Sequence, residues 1–197
     1  MYTYRKLNEQ QKQDVVHYRK LQSLPLHSPP HFPEGAKTYI ITAAIYEHKH
    51  IMSSEHRRFD FQEKLIDRIS RIETSSIFAW SILPNHYHIL LSADLIKIKT
   101  TLSQLHNGIS TQWNREDNSP GRKVWHRFSD RHIRSEAHYW ATINYIHYNP
   151  VKHVFASAPE EWKAGSFNIF EGNIGKEKMS LILQSYPVEK MGVGWDD

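Results

Sequence analysis

Two imidazoles and a phenol–amide pair are the groups in this chain best placed by type and spacing to do chemistry together. His86 and His88 stand two residues apart in Pro84-Asn85-His86-Tyr87-His88-Ile89-Leu90-Leu91. Alternate side chains of a strand share a face, so both rings would point the same way. Tyr145 and Asn149 stand four apart in Asn144-Tyr145-Ile146-His147-Tyr148-Asn149-Pro150. On a helix that spacing also shares a face. Should the two faces meet, two imidazoles, an amide oxygen and a phenol would surround one point. Such a set can hold a divalent ion, and it suits phosphodiester transesterification through a covalent tyrosine.

Each group also has an ordinary structural role. In a chain with fourteen histidines a chance His-x-His is expected, and a second one stands at His48-Lys49-His50. Context separates the two. His48 and His50 lie beside Glu47 and Lys49, where the apolar pattern stops, and read as a solvated loop. His86 and His88 open an apolar strand directly after a Pro-Asn turn. Tyr145, between Ile143 and Ile146, reads equally as a core residue, and Asn149 before Pro150 as a helix-end cap.

The surrounding elements follow from periodicity. Residues 7–22 read as a polar helix, and Pro25, Pro29, Pro30 and Pro33 as an extended connector, so residues 1–35 are expected to be an arm. Thr38 to Tyr46 is β-branched and aromatic and is the first strand. Phe61, Leu65, Ile66, Ile69 and Ile72 recur at helical spacing. Ser76 to Leu83 and His86 to Ser92 form a hairpin around Pro84-Asn85. Leu95 to Trp113 is amphipathic and helical. Ser135 is an N-cap with Glu136 in the first turn, and the helix runs to about Tyr148 because Pro150 disfavours helical geometry at Asn149. The main domain spans 36–172 and a less regular tail spans 173–197. This order is an α+β pattern: an antiparallel sheet with helices packed on one face, leaving the histidines on its open face.

Bulk composition narrows the function classes. The chain has no cysteine, which excludes disulfides, thiolate zinc sites and a thiol nucleophile. No apolar run is long enough to span a membrane, and the polar N-terminus does not resemble a secretion signal, which fits a cytoplasmic protein. The net charge is +4. From Gly121 to Arg134, five Lys/Arg and two His stand against one Asp, with Trp125 and Phe128 interleaved. That mixture suits phosphate contacts and base stacking. It equally suits a solvated loop around two core aromatics.

The stretches from Trp80 to Leu90 and from Tyr145 to Val154 closely resemble the REP-associated tyrosine transposases of the HUH superfamily, relatives of the single-tyrosine insertion-sequence transposases. The resemblance spans roughly residues 38–170, including the Trp125 to Arg134 segment, Trp162 and Ser166-Phe167. It implies a ferredoxin-like, HUH nuclease architecture. It also implies His86, His88 and Asn149 as ligands of a divalent metal, and Tyr145 as the nucleophile; Tyr148 is a nearby alternative phenol. The metal would be Mg²⁺ or Mn²⁺, with imidazole ligation tilting the choice towards Mn²⁺. The implied reaction is strand cleavage and transfer through a 5′-phosphotyrosine, on single-stranded DNA with a REP-like hairpin, in a nucleoid-associated protein. Trp125, Arg127, Arg131 and Arg134 are the candidate DNA contacts. Insertion-sequence relatives commonly swap the tyrosine helix between subunits and REP-associated members need not dimerise, so monomer and homodimer both stand. The competing reading is a non-catalytic module that binds single-stranded nucleic acid.

Overall fold

Apolar alternation along the central strands divides the sheet into two faces with different partners. The computed structural model describes residues 37–188; the arm expected at 1–35, and the helix expected within it, lie outside them. β1 (Lys37–Ala44), β2 (Ser76–Ile82), β3 (His86–Ala93) and β4 (Ser129–His132) form one antiparallel sheet in the order β2-β3-β1-β4. Tyr39, Ile41 and Ala43 on β1 and Tyr87, Ile89 and Leu91 on β3 point to one side. There they meet α1 (Glu55–Ser70) through Phe61, Leu65 and Ile69, and α2 (Leu95–Glu116) through Ile98, Leu102, Leu105, Ile109 and Trp113. Burying these rings and branched chains supplies the main drive for folding, at roughly 1.5–3 kcal/mol per large side chain.

The helix ends are capped as their residues suggest. Ser54 accepts from Arg57 N–H, Asp94 from the N–H groups of Ile96 and Lys97, and Ser135 from His138 N–H. Each such cap contributes about 1 kcal/mol. Ser135 opens α3 (Glu136–Lys152), which lies across the other face of the sheet at β2 and β3. The histidine face is therefore covered by α3 and is not open, and every residue of β3 is buried.

Two expectations about the C-terminal half change. α3 does not stop at Tyr148: it runs through Pro150 to Lys152, so Asn149 sits inside its last turn. The proline removes one intrahelical donor near the end of the helix, where the bond count is already falling. Burial of Ile146, His147, Asn149 and Pro150 offsets that loss. The stretch read as a tail carries α4 (Phe167–Ile174), which begins before residue 173, and α5 (Lys176–Ser185). α5 docks on α3, with Asn144 Nδ2 donating to the carbonyls of Ile182 (3.2 Å) and Tyr186 (2.7 Å).

Candidate active site

His86 and His88 lie on the α3 side of β3, because residues 87, 89 and 91 take the core side. Strand register places Ala44 opposite His86, and both Thr42 and Ser81 opposite His88. Small side chains at these positions leave room for two imidazoles. α3 then brings Tyr145 and Asn149, four apart, down onto the same spot. Asn149 Oδ1 is 3.0 Å from His86 Nε2, and the Tyr145 hydroxyl is 3.4 Å from His88 Nε2. The two imidazole centroids are 5.0 Å apart. So the four groups singled out in the sequence converge.

The outer side of each ring is tied down. His86 Nδ1 is 2.8 Å from Asn85 Oδ1, and His88 Nδ1 is 2.8 Å from Thr42 Oγ1. An amide oxygen only accepts, so His86 carries its proton on Nδ1 and turns a lone pair on Nε2 towards Asn149. Asn149 Oδ1 is also an acceptor, and Asn149 Nδ2 is buried without a hydrogen-bond partner. Two acceptors facing each other call for a cation, an added proton or a turned amide. A separation of 3.0 Å is also the spacing kept by neighbouring octahedral ligands at roughly 2.1 Å from one ion. Among the described residues no three His, Cys, Asp or Glu side chains are grouped to hold a metal, so an ion held here would need the amide as its third donor. The residues fit a divalent ion on this chemistry, and Asn85 and Thr42 stand where they would orient the two imidazoles towards it.

Other groups complete the site. Lys152 Nζ lies 5.2 Å from the centre of the Tyr145 ring, placing a cation beside the phenol. His153 packs edge-on against His86 at 4.9 Å. Tyr148, the alternative phenol, is half-buried away from the histidines; burial and then the Glu160 and Glu171 carboxylates push its pKa up, which disfavours its phenolate. Tyr145 is 2% exposed and Asn149 and His88 are 0% exposed, so the site is closed in this conformation.

The four candidate DNA contacts separate. Trp125 is in the core: it stacks on His106 at 4.2 Å and 9°, and packs near Phe61 and Trp113. Its ring faces are taken, so it offers no open stacking surface. Arg127, Arg131 and Arg134 are exposed. Arg131 pairs with Ile40 across β1 and so lies on the histidine face. Arg127 instead lines a groove of about 800 Å³ with Lys99, Asn107 and Lys123.

Sequence reasoning missed two buried histidines. His106 accepts or donates at 3.0 Å to the Tyr87 hydroxyl, and burial lowers its pKa to about 4. His147 meets Ser166 Oγ at 3.0 Å, and burial lowers its pKa to about 3. Their helical spacing from neighbouring core residues, Leu102 and Ile143, is the signal that marks them as interior.

No family model matches the chain, and no curated protein matches it. Among solved structures it is similar to a REP-associated tyrosine transposase bound to a REP hairpin, with a TM-score of 0.52 and 20% sequence identity. The match covers 71% of this chain and 81% of that one. At this identity the likeness is one of fold, and the α+β sheet with its flanking helices is the shared feature. No helix among the described residues is long and apolar enough to cross a membrane.

Proposed function

We propose that this protein is a metal-dependent single-stranded DNA endonuclease and strand transferase acting through a covalent 5′-phosphotyrosine at Tyr145. The observation that carries the reading is the convergence of His86, His88, Asn149 and Tyr145 from two separate elements. His86, His88 and Asn149 would hold Mg²⁺ or Mn²⁺, which when bound supplies Lewis-acid stabilisation of charge at a phosphate. Asn85 and Thr42 keep both imidazoles aimed inward. The Tyr145 oxygen bonds to phosphorus, its proton is lost, and the strand's 3′ oxygen departs and becomes a free hydroxyl. The phosphotyrosine ester conserves the bond, so a second 3′-hydroxyl can reverse the step without ATP. The 5′ polarity follows from the sequence resemblance. The solved protein similar in fold is bound to a REP hairpin, and that supports a hairpin-bearing single strand as substrate here. Arg131 and Arg134 flank the histidine face and are the cations placed to receive it; Arg127 is placed for a more distant part of the strand. The protein would act in the cytoplasm at the nucleoid, as a monomer or a homodimer.

One observation favours the binding-module reading: the near-complete burial of Tyr145. The strand-transfer reading therefore requires α3 to move on substrate binding, whereas a module without chemistry does not. A single experiment separates them. The full-length protein is incubated with a labelled DNA hairpin carrying single-stranded flanks, with Mn²⁺ or with EDTA, and resolved on a denaturing gel. The expected result is a covalent protein–DNA band with Mn²⁺ that disappears with EDTA and in Tyr145→Phe, and survives in Tyr148→Phe. Binding without any adduct, or an adduct that persists in Tyr145→Phe, overturns the assignment.

A further inference from the structure

The groove between α2 and residues 122–130 collects cations and leaves no platform for stacking. Arg122, Lys123 and Arg127 line one wall and Lys99 the other, while Asp130 is the one carboxylate among the described residues that line it. Two of these cations are engaged. Lys99 Nζ meets Asp130 at 3.1 Å, and Arg122 meets Asp117 at 2.7 Å. Lys123 and Arg127 are exposed and form no ion pair among the described residues. The Lys123 ammonium lies 4.2 Å from the centre of the Tyr46 ring, a contact that places the charge without cancelling it. The floor is made of rings already in use. Trp125 and His106 are buried and stacked on each other at 4.2 Å, and the half-buried Phe128 stands at 79° to His106. An unpaired strand is held by stacking successive bases on open aromatic faces. Phosphates need only cations and N–H donors. The groove therefore suits a backbone whose bases are already stacked on one another, as in a paired stem.

Its length and position agree with that occupant. Lys99, Ser103, Asn107 and Ser110 line it from one face of α2. From residue 99 to 110 a helix rises roughly 16 Å, which matches about five steps along one strand of a duplex. The Ser103 and Ser110 hydroxyls donate back to the carbonyls of Lys99 and His106, so the donors left for phosphates are Lys123, Arg127 and the exposed Asn107 amide. At the Lys123 end the wall joins the sheet: Tyr46 N–H donates to Val124 O at 2.7 Å and His126 N–H to Ala44 O at 2.9 Å. Ala44 is in turn the β1 partner of His86. His86 thus lies two strand spacings, roughly 10 Å, from residues 124–126. A few unpaired nucleotides would carry a strand from the foot of a stem seated here to the histidines.

We infer that this groove seats the sugar–phosphate backbone of a paired DNA stem, with Lys123, Arg127 and Asn107 as its phosphate contacts. The stem is that of the hairpin substrate, so the inference takes its ligand from the strand-transfer reading. The chain has no cysteine, so Thr111→Cys, exposed on α2 one turn beyond Asn107, gives the full chain a single attachment point for an iron–EDTA tag. On a labelled DNA hairpin with single-stranded flanks, the hydroxyl-radical cuts are expected to centre in the stem. Cuts confined to the flanks, no cuts on a hairpin that is bound, or no binding of the hairpin overturn the inference. Lys123→Ala and Arg127→Ala are each titrated by fluorescence anisotropy over a series of salt concentrations. Each should weaken hairpin binding about fivefold at physiological salt and lower the slope of log affinity against log salt by about one. An unpaired strand of the same length should lose distinctly less affinity. Equal losses on the two probes, or an unchanged slope for the hairpin, also overturn it. The Tyr145 adduct is scored separately with the untagged protein and Mn²⁺. Stem cuts without an adduct remove the chemistry and leave the groove, an adduct without stem cuts removes the groove alone, and the absence of both removes both.

Discussion

At the scale of residues, the cluster depends on what holds the far side of each imidazole. Asn85 and Thr42 occupy the Nδ1 positions of His86 and His88 and leave both Nε2 atoms facing inward. Outer partners of this kind typically contribute 10–100-fold in metal affinity. Thr42→Val keeps the shape of the side chain and deletes its hydroxyl. We expect Mn²⁺ affinity, measured by calorimetry, to fall roughly 10–100-fold with an unchanged far-UV spectrum. An unchanged affinity would show that Thr42 does not orient His88. The four inner residues were legible because each pair lies within one local repeat, period two for the histidines and period four for Tyr145 and Asn149. Thr42 was not legible, because it meets His88 only through the β1–β3 register, which no local pattern states. Trp125 was misread for a related reason. Interleaved cations and aromatics reveal composition but not which way a ring turns, and this ring turned onto His106 while Arg127 stayed outside.

At the scale of elements, α3 carries Tyr145 and Asn149, and the proposed strand transfer requires it to be both placed and able to move. β1, β2, β3, α1 and α2 were legible from apolar periodicity and caps; β4 was not, because Ser129–His132 holds no apolar residue and reads as part of a basic loop. The end of α3 was not, because Pro150 argues locally for a stop while the buried residues around it favour continuing. α5 was not either, since Met179 and Ile182 are its only buried residues among many polar ones. Its docking rests on Asn144, whose Nδ2 bridges the Ile182 and Tyr186 carbonyls one residue before the candidate nucleophile. Asn144 is fully buried, and its Oδ1 has no hydrogen-bond partner. Asn144→Ala removes both donations and leaves two acceptors behind, at a cost of about 1–3 kcal/mol. The expected outcome is faster amide exchange across 176–185 and a lower melting temperature. Exchange in α5 that matches the parent protein would mean that the apolar contacts alone retain it.

At the scale of the whole molecule, two histidines buried in different places couple stability to pH with the same sign. His106 lies between α2 and the sheet, against Tyr87 and Trp125; His147 lies in α3 against Ser166. Burial holds both neutral, with pKa values lowered to about 4 and about 3. In the unfolded chain each takes a proton near its ordinary value of about 6.5. Above that pH both states are neutral and no stability depends on these groups. As pH falls below it, the unfolded chain binds protons that the fold refuses, and stability drops until the folded values are reached. Each histidine contributes a slope of about 1.4 kcal/mol per pH unit within that window. Asp117, held down to about 2 by hydrogen bonds from Arg57 and then Arg122, loses its contribution only below the ordinary carboxylate range and does not blur the histidine phase. Urea unfolding at pH 7 and pH 5 should therefore show a clear loss of stability at the lower pH. His147→Gln, which cannot titrate, should be less stable at pH 7 yet lose less on going to pH 5. Equal stability of the parent protein at the two pH values would place both imidazoles in contact with solvent or with an acid, contrary to the packing around them.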